Sequence, residues 1–138
     1  MRVDLISLIK TGQFLTFNED SQPADTAAMP GVERVAHPGK DVMIIRRGNV
    51  EFSFVKGKLR AIQLILDASI EPAVVYDDSL PLPLGEATLK DLLRREQVAY
   101  TVDNKVIPQQ GAYRLVFPSG VTAVVHGGVV TRIYRSFT

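Results

Sequence analysis

Apolar and polar residues alternate with a period of two along Asp41 to Asp67, DVMIIRRGNVEFSFVKGKLRAIQLILD. Val42, Ile44 and Arg46 alternate along a first strand. Val50, Phe52 and Phe54 alternate along a second, with Glu51, Ser53 and Val55 on its other face. Leu59, Ile62, Leu64 and Leu66 fill a third, around Ala61. Arg47-Gly48-Asn49 and Lys56-Gly57-Lys58 supply the glycines that tight hairpin turns need. Such alternation buries one face and wets the other, as an antiparallel sheet does.

Before this meander, Val3, Leu5, Ile6, Leu8 and Ile9 predict a short helix, with Asp4 at its positive end, Lys10 at its negative end and Gly12 as the stop. Gln13 to Gly31 has the composition of a loop. Val32 to His37 reads as a short edge strand, and His37-Pro38-Gly39 as a turn. After the meander, Asp67 to Gly85 is loop-rich, with a brief strand at Ala73 to Tyr76 and prolines at 81 and 83 that stop a regular ladder. Glu86 to Arg95 predicts a second helix, with Leu89, Leu92 and Leu93 as its apolar stripe. Thr88 is an alternative N-cap for it, with Asp91 completing a capping box. Val98 to Val102 reads as a strand and Asp103-Asn104-Lys105 as a turn. A second meander follows: Tyr113 to Phe117, Val121 to His126 and Val129 to Tyr134, turning at Pro118-Ser119-Gly120 and Gly127-Gly128.

The two meanders align. A shift of 71 residues sets Ile44 on Leu115, Val50 on Val121, Phe54 on Val125, Gly57 on Gly128 and Ile62 on Ile133. The expected fold is therefore α+β: one domain, residues 1–138, with an antiparallel sheet built from two helix-plus-three-strand units, α-βββ-α-βββ. The tandem halves would be 1–70 and 71–138, with both helices on one face and the opposite face free to bind. Turns and alternation alone also impose such a match on any two meanders.

Composition narrows the chemistry more than the fold. At 138 residues, 46% hydrophobic and 22% charged, the chain is ordinary for a globular domain. Formal net charge is +1, so no global field draws in nucleic acid or an anionic membrane. Cys is absent, which removes disulfides, thiolate chemistry and Cys-ligated metal. MRVDLISLIKTG carries Asp4 early and lacks a small-residue cleavage site, so a cytoplasmic protein is expected. No apolar run reaches a membrane span.

No catalytic constellation stands out. His37 sits in a Pro-Gly turn and His126 at a strand end, without the paired spacing of metal ligands. Asp77-Asp78 is a carboxylate pair without the remainder of a calcium loop. Neither metal nor cofactor is expected. If the chain were an enzyme or a ligand-binding domain, His37, Asp77 and Tyr113 would be its candidates, as polar groups free to converge between sheet and loops.

Charge is segregated. Thr11 to Glu33 holds four acids (Glu19, Asp20, Asp25, Glu33) and no Lys or Arg. Ala61 to Leu89 holds five (Asp67, Glu71, Asp77, Asp78, Glu86), again with no Lys or Arg. Basic residues gather elsewhere: Arg46, Arg47, Lys56, Lys58 and Arg60 around the first meander, and Arg94, Arg95, Lys105, Arg114, Arg132 and Arg135 in the second half. Either the acidic loops are simply solvated, or they form one surface for a basic protein partner. The second alternative makes Glu19, Asp20, Asp25, Asp77, Asp78, Leu80 and Leu82 the partner-binding residues, the leucines as apolar anchors. A basic sheet face offers no interleaved exposed aromatics for nucleic acid.

Gly48-Asn49-Val50-Glu51-Phe52-Ser53-Phe54 with Leu59-x-x-Ile62, and Leu89-Lys90-Asp91-Leu92-Leu93 leading to Val98-Ala99-Tyr100, resemble a pattern in small bacterial proteins. These include immunity proteins that neutralise toxins of contact-dependent and secreted-effector competition. Gly12-Gln13-Phe14 stands where that pattern has a proline. The outline is also similar to beta-lactamase-inhibitor-like folds, which bind proteins on a sheet face. The resemblance implies a non-catalytic inhibitor that covers the active site of a toxin, such as a basic toxin domain. A homodimer paired through an edge strand or a sheet face is a further alternative.

Overall fold

The computed structural model describes residues 1–76, 80–107 and 111–137. In chain order the elements are β1 (Arg2–Val3), α1 (Leu5–Thr11), a 3-10 turn (Pro23–Ala28), β2 (Glu33–Gly39), β3 (Val42–Arg47), β4 (Val50–Val55), β5 (Lys58–Ile65), β6 (Val75–Tyr76), β7 (Leu84–Gly85), α2 (Glu86–Arg95), β8 (Thr101–Ile107), β9 (Ala112–Val116), β10 (Val121–His126) and β11 (Val129–Ser136). The main sheet runs β2-β3-β4-β5-β11-β10-β9-β8, with β7 paired to β11, and every pairing in it is antiparallel. The fold is mixed α+β with an antiparallel sheet. β1 and β6 form a separate parallel pair.

Alternation in β4 has the expected outcome: Val50, Phe52 and Phe54 are buried, and Glu51, Ser53 and Val55 are half-buried. Leu59, Ile62 and Leu64 of β5 join the same face, as do Leu115, Ala123, Val125, Val130 and Ile133 of the second meander. The buried stripes of α1 (Leu5, Leu8, Ile9) and α2 (Leu89, Leu93) belong to this one core. α1 starts where the Asp4 carboxylate accepts from the Ser7 N–H and ends at Gly12 (φ 74°), whose N–H bonds the Leu8 carbonyl. In α2, Glu86 lies in the first turn and pairs with Lys90 at 2.7 Å, while Arg94 and Arg95 occupy the last turn.

Four expectations are corrected. Each meander has four strands rather than three, because β2 and β8 pair as outer strands. β3 turns its other face inward: Ile45 is buried, while Val42, Ile44 and Arg46 are only half-buried. Four consecutive apolar residues, VMII, leave the phase open, and a one-residue slip flips every side chain. Asp103-Asn104-Lys105 is not a turn, since β8 runs through it with an irregularity between Asp103 and Ile107. His37-Pro38-Gly39 is not a turn, since β2 runs through it to Gly39 with an irregularity after Ala36. α2 spans Glu86–Arg95 as expected, with Gly85 as N-cap, which leaves the alternative cap Thr88 inside the helix.

The pairing registers of the two hairpins coincide. In β4–β5, Val50 faces Leu64, Phe52 faces Ile62 and Val55 faces Lys58, with a shift between Ser53 and Phe54. In β10–β11, Val121 faces Arg135, Ala123 faces Ile133 and His126 faces Val129, with a shift between Val124 and Val125. Each partner in the second hairpin stands 71 residues after its counterpart in the first. Where the meanders meet, Gln63 faces Tyr134, with Ile62 opposite Arg135 and Leu64 opposite Ile133 on either side.

Candidate functional site

The face of the sheet opposite the core carries no helix. Arg34, Arg46, Glu51, Gln63, Tyr134 and Thr122 form one cross-strand row on it, from β2 to β10. The neighbouring row is Ile65, Arg132, Val124, Arg114 and Asp103, from β5 to β8. Strand pleating alone puts these residues together, since every second side chain of a strand stands on one face. In β11, Val130 and Ile133 point to the core, which leaves Arg132 and Tyr134 outside.

A groove of about 340 Å3 crosses this face over the β5–β11 seam. On one side the Gln63 amide donates to the Glu51 carboxylate at 3.0 Å. On the other the Arg114 guanidinium donates to the Tyr134 hydroxyl at 2.7 Å. Arg132 is exposed and makes no hydrogen bond or ion pair among the described residues. Thr122 and Val124 are buried although they face away from the core, so long neighbouring side chains lie over them. Arg34 and Arg46, directly opposed like charges, border a second cavity of about 570 Å3 with Glu71. Four guanidiniums against Glu51 and Asp103 make this face basic. It offers planar donor forks, carboxylates, an amide and hydroxyls around small apolar patches.

Among the described residues, two perturbed titrations lie elsewhere. Burial pushes the Tyr76 hydroxyl far above its ordinary value. The backbone N–H and hydroxyl of Ser69 hold Asp67 below the usual carboxylate range. Tyr76 belongs to a buried staple: the Asn49 amide nitrogen donates to the Val74 carbonyl (3.0 Å) and the Tyr76 hydroxyl (3.3 Å). The Asn49 side-chain oxygen accepts from the N–H groups of Ala73 (3.0 Å) and Val74 (3.1 Å).

Among the described residues, those expected to bind a partner are not brought together. Glu19 and Asp20 are exposed beside Lys58, Arg60 and Phe137. Asp25 accepts from the Gln22 N–H at 2.7 Å and closes the 3-10 turn. Leu80 is 5% exposed and belongs to the core. Leu82 is half-buried against that core, sharing a cavity with Asn49 and Asp67. The length of β5, about 23 Å at 3.3 Å per residue, separates this cavity from Lys58. Asp77 and Asp78 lie outside the described residues. The catalytic trio does not converge either: His37 is on β2 and Tyr113 on β9, six inter-strand steps of about 4.8 Å apart. His126 is exposed at the end of β10. Among the described residues, no three side chains cluster as metal ligands would, and no helix is long and apolar enough to cross a membrane.

Sequence reasoning named Arg46, Arg114 and Arg132 as basic sheet residues without assembling them. The missing information was strand order, which sets β11 against β5. Comparison with protein-family models, with curated proteins and with solved structures finds no match.

Proposed function

We propose that this chain is a non-catalytic protein-binding module of immunity-inhibitor type, acting in the cytoplasm, which docks a partner protein on the open face of its sheet and covers that partner's active site. One observation carries the reading. A helix-free sheet face, grooved over the seam of the two meanders, holds solvent-facing donors that the fold itself leaves unused. The inhibitor role rests on the resemblance of the Gly48 to Ile62 and Leu89 to Tyr100 stretches to toxin-neutralising proteins. A rigid platform of paired strands suits recognition without chemistry, since the contact residues are held by the ladder rather than by loops.

The chain also reads as two related helix-plus-meander units. The shared registers, and matching irregularities after Ser53 and Val124, support this. The seam supports it too, because Ala61 and Ile65 of β5 stand 71 residues before Arg132 and Ser136 of β11, so exchanging the two strands turns the Ala61–Ser136 pair into the Arg132–Ile65 pair. The groove then straddles a pseudo-twofold axis between Gln63 and Tyr134, a site to which both units contribute.

The experiment is co-expression with the product of the adjacent reading frame. A stoichiometric complex, with toxicity of the neighbour relieved by this chain, is expected. A neighbour that is harmless alone, with no complex at micromolar concentration, overturns the inhibitor reading.

A further inference from the structure

We infer that the partner segment seated on the open face is acidic: an exposed run of Asp or Glu side chains whose carboxylates lie between Arg114 and Arg132, beside Tyr134. This rests on the open-face reading above and names the chemistry of its partner.

The first argument is comparison within the sheet. By register, Arg132 on β11 stands where Ala61 stands on β5, since each faces the residue before the irregularity, Val124 or Ser53. Arg114 on β9 pairs with Val124 as Ile44 on β3 pairs with Ser53. The same slots are therefore filled once by apolar groups and once by guanidiniums. The buried slots stay apolar at Val50 and Val121, Phe54 and Val125, and Ile62 and Ile133, and where Arg135 stands at the Leu64 slot it donates to the Gly12 carbonyl within the fold. The sheet does not require the two arginines.

The second argument is unused capacity. A guanidinium carries five N–H donors in a planar fork that matches a carboxylate. Arg114 uses Nη1 on the Tyr134 hydroxyl, and Arg132 has no partner among the described residues. The third is local charge. Glu51 is engaged by Gln63, and the Asp103 carboxylate accepts from the Lys105 N–H, while Arg34 and Arg46 extend the basic surface toward β2. Nucleic acid fits less well. Arg114 holds the Tyr134 hydroxyl and Lys90 lies 5.4 Å over the Tyr113 ring, so both tyrosines at the groove are already engaged within the fold.

The test uses the full chain in low-salt buffer with three labelled probes: a glutamate-rich peptide, its glutamine counterpart and an oligothymidylate, read by fluorescence anisotropy. The glutamate peptide is expected to saturate a single site and to bind more tightly than the other two. Arg132→Gln, which removes no hydrogen bond or ion pair among the described residues, and the double variant R114Q/R132Q are expected to weaken it about tenfold or more, as loss of charge-assisted bonds does. Lys56→Gln with Lys58→Gln, at the far turn, is the control and should leave binding unchanged. Absence of saturable binding overturns the inference. So does equal weakening by the control, or an oligothymidylate that binds as tightly as the peptide. A complex with the co-expressed neighbour that survives R114Q/R132Q overturns the acidic segment alone, whereas absence of any such complex overturns the module reading beneath it.

Discussion

Asn49 shows how much one side chain in a turn can hold. Its sequence context, Arg47-Gly48-Asn49, predicts a hairpin turn, which it forms. Its larger role is legible only in three dimensions, because its four partner groups lie 24 to 27 residues away. Asn49→Leu keeps the volume and removes every bond, leaving the N–H groups of Ala73 and Val74 buried without acceptors. Unmet buried donors cost about 1–3 kcal/mol each, so a loss of about 3 kcal/mol is expected in urea denaturation. A loss below about 1 kcal/mol would mean that water reaches those groups. Tyr76 adds a pH dependence. Its folded pKa is raised, so its contribution is fully present below the unfolded value of about 10 and is lost as pH rises past it. Stability should therefore fall above pH of about 10, and Tyr76→Phe should flatten that decline. Parallel pH profiles for the two proteins would place the alkaline loss elsewhere.

Glycine turns separate two contributions at the level of the element. Gly48 (φ +56°) and Gly57 (φ +78°) both take the left-handed backbone that an L side chain resists. A Cβ at Gly57 meets nothing within 4 Å, whereas one at Gly48 comes to 2.6 Å of the Ala73 backbone nitrogen. Gly57→Ala should then cost only the conformational part, about 1–2 kcal/mol. Gly48→Ala should cost clearly more, since the 71–76 segment must move away and disturb the Asn49 staple. Similar melting temperatures for the two variants would refute this account. The turn between β9 and β10 and the end of β11 do further work: the Ser119 hydroxyl donates to the Ile9 carbonyl (2.6 Å), and Arg135 Nε on β11 donates to the Gly12 carbonyl (2.9 Å). These donors cap carbonyls at the end of α1 that the helix leaves unpaired. The caps and stripes of both helices were readable because they are local signals. The phase of β3 and the extent of β8 were not, because pairing partners rather than propensity decide them.

Across the whole molecule, alternation read from sequence gave the inner face of β4 and β5, and charge segregation gave the basic sheet. The open-face site stayed hidden because it is assembled from both halves at the β5–β11 seam, a long-range pairing that no local pattern encodes. That seam also bears on how the molecule unfolds. Two meanders with separate cores would melt separately. Yet residues of α1, α2 and both meanders fill one continuous core, with Val50, Phe52, Leu115, Val121, Val130 and Ile133 at zero exposure. Removing either half exposes the buried face of the other, so neither has a stable partly folded state to populate. Calorimetry should show one transition whose measured enthalpy equals the van't Hoff value. Amide exchange should grade outward from the seam. The central strands β4, β5, β10 and β11 should open only with global unfolding, while β2, exposed along its whole length, should exchange by local opening. Two resolved transitions, or protection of β2 equal to that of β5, would show that the two meanders are held together more loosely than their shared core requires.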